Sequence, residues 1–109
     1  MWEIAYYSDK VIKEINLLPI GIRASYTRIT ELIIEFGPYL PMPYVRPLKD
    51  GLLEIRAKGK EGIGRIFYCT GKSRKIIILH TFIKKTQKTP KNELKIARKR
   101  QKEIQSENT

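Results

Sequence analysis

A chain of 109 residues can bury one modest core, and 41% hydrophobic with 30% charged residues suits a globular domain rather than a disordered segment. The formal net charge of +11 points to a polyanionic partner, because summed positive potential attracts phosphate; charge kept for solubility alone is the alternative. A lone Cys69 excludes an intrachain disulfide and a thiolate metal cluster, and no cofactor motif stands out, so no cofactor is expected.

No secretory signal is expected from Met1-Trp2-Glu3, and the aliphatic run 76–79 is far short of the roughly twenty residues that span a bilayer. A cytoplasmic protein that meets no membrane is expected. The charge is uneven. Residues 84–103 hold nine Lys and Arg against two Glu, or +7; residues 1–83 hold thirteen against eight acids, or +5.

Residues 2–7 are aromatic and aliphatic and read as a first strand. Ser8 stands where an N-cap belongs, with Asp9 after it. Val11, Ile12, Ile15 and Leu18 fall on one helical face, and Pro19 ends that helix. A second helix from about Gly21 carries the stripe Ile22, Tyr26, Ile29, Ile33 and Phe36; Gly37 and Pro38 end it. The two should form a helical hairpin. Residues 37–47, with four prolines, read as a stiff extended connector.

Three strands are predicted next, over 52–58, 63–69 and 75–83, joined by glycine-bearing turns into an antiparallel meander. Thr89-Pro90 opens a last helix, with Thr89 as N-cap and Pro90 at the first helical position. Leu94, Ala97 and Ile104 give it one thin apolar edge. The expectation is a single α+β domain over 1–105, in the order β-α-α-β-β-β-α, with the meander packed as two layers on the N-terminal hairpin. Residues 106–109 are expected to fray.

Side chains alternate across a strand. Leu53, Ile55 and Ala57 should lie under the helices; Glu54, Arg56 and Lys58 should look out of an open face. Arg65 shares a face with Phe67 and Cys69, opposite Tyr68, which reads as core. In the third strand, alternation groups Ile76, Ile78, His80 and Phe82 on one face. Antiparallel pairing can bring Arg56 beside Arg65, with Lys84 and Lys85 at the strand exit. Guanidinium forks suit phosphate and can stabilise a phosphorane-like transition state. The alternative is a solvated strand on which Arg56 pairs with Glu54 or Glu61.

The sequence resembles a known family at this point. Residues 47–56, Pro-Leu-Lys-Asp-Gly-Leu-Leu-Glu-Ile-Arg, resemble the L-x-x-G-L-W-E-L-R signature of phage-derived HigB-like toxins of the RelE/ParE superfamily. Residues 64–68 resemble their Y-R-x-x-Y, and residues 79–90 their L-H-G-F-x-K-K-T-Q-K-T-P. Leu53 stands for the usual Trp, Gly64 for an aromatic that could stack a base, and Thr81 for Gly. The resemblance implies a RelE-like fold. It also implies cleavage of mRNA at the ribosome, without metal. The implied partner is a cognate antitoxin, commonly a helix-turn-helix protein of HigA type, through which alone the toxin meets operator DNA.

Such cleavage needs a 2′-OH deprotonated, a pentacoordinate phosphate stabilised and a 5′-oxygen protonated. Arg56 and Arg65 are the candidates for the phosphate; Lys84 or Lys85 can add charge or act as acid, or as base if neighbouring cations lower its pKa. His80, the one histidine, reads equally as an acid–base or as a hydrogen-bonded rim residue. Phe82 can stack on a base or pack. Lys58, Lys88, Lys91, Lys95, Lys99 and Lys102 are the candidates for binding the RNA and ribosome backbone, which positions without reading sequence. A gyrase-binding toxin of ParE type and a non-catalytic RNA-binding module are the rival readings.

Overall fold

The computed structural model describes residues 1–84 and 90–107. The elements are β1 (Glu3–Tyr6), α1 (Asp9–Asn16), α2 (Ile20–Phe36), β2 (Val45–Pro47), β3 (Leu53–Gly59), β4 (Gly62–Gly71), β5 (Lys75–Lys84) and α3 (Lys91–Glu107). The α+β class holds. The sheet has five strands in the order β1-β5-β4-β3-β2. It is mixed: β1 runs parallel to β5, and the other pairs are antiparallel.

Local chemistry accounts for the helix ends. The Ser8 hydroxyl accepts from the Val11 amide at 3.3 Å, as an N-cap should. Pro19 lies just before α2 and has no side chain to cap it; a distant side chain does so instead. The Glu61 carboxylate, in the β3–β4 turn, accepts the Gly21 amide at 3.0 Å. That bond holds the Glu61 carboxyl below its ordinary range. Gly37, at φ 97°, ends α2, and its amide donates to the Ile33 carbonyl.

The two N-terminal helices do not pack mainly on each other. α1 lies over β5 and β1, and α2 lies chiefly over β3. Their apolar stripes meet Leu53, Ile55, Ala57, Ile66, Tyr68, Ile76 and Ile78 in the first core. Tyr68 is core, as expected, and its hydroxyl donates to the Pro38 carbonyl. The hairpin is therefore a helical layer on a sheet rather than a free-standing pair.

Three expectations are corrected. The connector contributes a strand: Val45–Pro47 pairs with β3 at the sheet edge, where a proline is tolerated because its outer side has no ladder bond to give up. The arrangement is not two layers throughout. α3 covers part of the second face and closes a second core with Leu52, Phe67, Cys69, Ile77, Leu79 and Ala97. The third correction is a β-bulge. Phe67 pairs with His80 but Tyr68 pairs with Ile78, so Leu79 is an extra residue on β5. Simple alternation fails beyond it, and His80 and Phe82 move to the face opposite Ile76 and Ile78.

Polar side chains of α3 secure the second layer. Arg100 donates to the Leu79 carbonyl at 2.7 Å, supplying a partner at the bulge. Its guanidinium also lies 4.8 Å from the centre of the Tyr7 ring. Gln101 donates to the Asp50 carbonyl at 2.7 Å, and Arg98 to that of Lys49. The Pro90 carbonyl accepts from Glu93 and Leu94 at the start of α3; the expected N-cap, Thr89, lies outside the described residues. α3 continues through Glu107, two residues into the stretch expected to fray.

Two glycines permit α2 to sit down on the hairpin. A Cβ at Gly64 would lie 2.6 Å from Ile22 Cγ2, and one at Gly59 would lie 2.6 Å from the Ile22 amide nitrogen and 2.7 Å from the Gly21 carbonyl carbon. Gly64 thus faces the helical layer, and its departure from the aromatic bears on helix packing instead of base stacking. Gly59→Ala must push helix backbone, which cannot rotate away. A destabilisation of about 1–3 kcal/mol is expected, as for other overpacked sites, read as a lower urea midpoint with unchanged slope.

Candidate nucleic-acid interface and cleavage site

Register assembles the candidate side chains into rows across the face away from α1 and α2. The first row is His80, Phe67, Glu54 and Arg46. The second is Phe82, Arg65 and Arg56, and the third is Lys84, Ile63 and Lys58. Arg56 and Arg65 are direct cross-strand partners, as expected. The bulge is what brings His80, Phe82 and Lys84 to the same side. Lys85 and Lys88 lie outside the described residues.

Arg65 is not the solvated cation that an open face implied. It is 4% exposed, and Glu54 beside it is 0% exposed. Arg65 Nη1 donates to Glu54 Oε1 at 3.4 Å, and Arg46 Nε stands 4.0 Å from the same oxygen. The pairing of Glu54 is therefore with Arg65 and Arg46, not with Arg56. A buried guanidinium without a carboxylate would cost far more than this pair, which explains a glutamate in an otherwise cationic cluster. Burial lowers the Arg65 pKa; Glu54 opposes that, and Arg56 and Arg46 add to it.

Lys84 is half-buried beside this pair. Burial first, then the Arg65 charge, pull its ammonium below the ordinary lysine value, with Glu54 opposing. That is the direction a general acid or base needs. Arg65 Nε, Arg56 Nε, Glu54 Oε2 and His80 Nδ1 are buried with no hydrogen-bond partner among the described residues. Four such atoms in two adjacent rows concentrate unspent hydrogen-bonding capacity at one place.

His80 is 7% exposed and its Nε2 lies 3.2 Å from Glu93 Oε2 on α3. Its ring stacks with Phe82 at 6.3 Å between centres, and Phe82 lies 5.7 Å from Phe67. Phe82 is half-buried, so packing accounts for much of it. Burial pushes the Cys69 thiol up to about 11, and the side chain sits in the second core as a small hydrophobe. Lys91, Lys95, Lys99 and Lys102 are exposed along α3, and Lys58 is exposed at the end of β3. Arg98 and Arg100, by contrast, are engaged in docking that helix.

Sequence reasoning missed Arg46, which only the unexpected β2 aligns with Glu54. It also missed Glu93 as the partner of His80, because nothing local links a helix turn to a strand thirteen residues earlier.

The model of the family described as Phage derived protein Gp49-like (DUF891) matches residues 13–102. The chain belongs to this family. The Gp49-like family is part of the RelE/ParE-like toxin superfamily and is associated with the toxins of toxin–antitoxin systems. Such toxins typically pair with an antitoxin. No curated protein matches the chain. The matched span includes α2, the whole β2–β5 sheet and most of α3, so every described row residue of this Gp49-like protein falls within it. No helix among the described residues is long and apolar enough to cross a membrane.

Glu54 is the test of how this site is held. Glu54→Gln leaves the buried Arg65 charge uncompensated, and a destabilisation of about 3–5 kcal/mol is expected in urea unfolding. The double variant Glu54→Leu with Arg65→Met should recover most of that stability, because apolar replacements remove both desolvation costs. A single variant as stable as the parent would show that the pair does not brace the site.

Proposed function

We propose that this Gp49-like protein is a HigB-like toxin of a type II toxin–antitoxin pair that cleaves mRNA in the translating ribosome. The observation that carries the reading is the second row: Arg65 directly across from Arg56, braced by a buried Glu54 and flanked by Lys84. The fold reading that goes with it is RelE-like. Arg56 and Lys84, both half-buried, meet the scissile phosphate. Arg65, buried against Glu54, adds its charge from beneath them to stabilise the charge that develops on the phosphate. Lys84, with its lowered pKa, moves the proton on the 2′-OH or the leaving 5′-oxygen, with Lys85 as the second candidate. His80 holds α3 through Glu93 and positions the Phe82 ring beside the site.

The exposed lysines of α3 follow the ribosomal RNA backbone in this reading, with Lys88 as a further candidate, and Lys58 binds RNA backbone beside the site. The partners are the translating ribosome, its mRNA and a cognate antitoxin of helix-turn-helix type. The cytoplasm is the compartment in which all three are met.

Primer extension on a translated mRNA tests the activity. New 5′ ends should form only when ribosomes translate the message. Arg65→Lys keeps a charge for Glu54 but lacks the planar fork, and should slow cleavage about 100-fold while unfolding near the parent's midpoint. Cleavage of naked RNA at the same rate, or DNA breaks in place of mRNA ends, would overturn the proposal; breaks would favour gyrase as the target. Replacing Lys95, Lys99 and Lys102 by Gln should reduce the slope of log affinity for ribosomes against log salt by about 0.9 for each duplex phosphate no longer neutralised. An unchanged slope would put the ribosome-binding surface elsewhere.

A further inference from the structure

A second cationic feature surrounds the free edge of β3. β2 pairs only with Leu53, Glu54 and Ile55, and the Arg56 amide then donates to the Tyr44 carbonyl at 2.9 Å. Beyond that point the connector leaves the sheet. A groove of about 340 Å³ opens there, lined by Ser25 and Arg28 of α2, Tyr44, and Arg56 and Lys58 of β3. Its volume falls in the lower part of the range for small-molecule sites, about 300–1,000 Å³. Three cations line it and no carboxylate does. Arg56 Nε is buried without a partner among the described residues. Tyr44 is half-buried and packs against the first core.

Arg56 belongs to both places. It lines the groove and is also the cross-strand partner of Arg65. A polyanion lying on Lys84, above the buried Arg65, is therefore led by Arg56 around the strand edge toward Arg28. We infer that the groove is a nucleotide subsite, holding the nucleotide next to the scissile phosphate. Arg28 and Lys58 bind its phosphate, Ser25 adds a hydroxyl, and the base stacks on Tyr44. Aromatic rings hold single-stranded bases without demanding one sequence, and flanking guanidiniums neutralise the backbone. An acidic peptide would use the cations but has no use for the ring. The inference rests on the RNA-cleaving reading, which sets the polymer that crosses Arg56.

Amide NMR on the whole protein tests it, with a 2′-O-methyl RNA trinucleotide as a probe that cannot be attacked. Titration should shift the signals of Ser25, Arg28, Tyr44 and Lys58. Arg28→Gln should lower the slope of log affinity against log salt by about 0.7, the value for one single-strand phosphate. Tyr44→Leu should weaken binding about tenfold with the slope unchanged. Either variant with parental affinity and slope would overturn the subsite, as would shifts confined to Arg65 and Lys84. A hexaglutamate peptide that moves the groove signals when the trinucleotide does not would make the groove a protein-docking site and overturn it too. The two readings fail separately. A groove that binds the trinucleotide in a protein that cuts no translated mRNA refutes cleavage alone; cut mRNA with an unmoved groove refutes the subsite alone.

Discussion

One extra residue in β5 governs the arrangement of the site. Without the bulge at Leu79, His80, Phe82 and Lys84 would continue the alternation of Ile76 and Ile78 and point under the N-terminal helices. With it, they join Arg65 and Glu54 on the opposite face. A bulge leaves a backbone group without its ladder partner, and Arg100 supplies one to the Leu79 carbonyl. The last helix is thus bound to the irregularity that creates the site. Its charge has two separate uses: Arg98 and Arg100 turn inward to backbone carbonyls, and four lysines remain outside.

The cluster of cations is held together by what lies inside it. Two arginines facing each other across a strand pair repel, and Arg65 is nearly inaccessible to water. Glu54 makes this arrangement possible, since one buried carboxylate serves Arg65 at 3.4 Å and Arg46 at 4.0 Å. The net result is a positive site with a fixed internal counter-charge. Its remaining donors are oriented before any anion arrives, which is the condition under which electrostatic stabilisation is most effective. Lys84 is half-buried beside this arrangement, and burial first, then the Arg65 charge, draw its pKa down against the opposing Glu54.

The second layer and the first contribute differently. α1 and α2 hold the sheet through a continuous aliphatic core and approach it closely where Gly59 and Gly64 have no side chains. α3 has a thinner apolar edge and depends on polar ties: Gln101 to Asp50, Arg98 to Lys49, Glu93 to His80. A helix attached in this way is easier to adjust than one buried in the main core. It is also the helix that presents the basic surface, so the part with the most exposed charge rests on the smaller of the two cores.

Local sequence was sufficient for the helices, for four of the five strands and for the pairing of Arg56 with Arg65, because these depend on residues near one another in sequence. Ser8, Pro19 and Gly37 mark helix ends by local chemistry that needs no partner. The cross-strand arginines follow from a two-residue turn, Lys60-Glu61, between glycines paired at 59 and 62. Tertiary structure alone decided the rest. A period of two cannot reveal an inserted residue, so the Leu79 bulge and the facing of His80 were hidden. The depth of Arg65 is not written in its strand, and the partners of Glu54 and His80 come from elements that only the fold brings near. Local sequence states which side chains can form a phosphate site; burial and register, which are set by residues distant along the chain, decide which of them face one another.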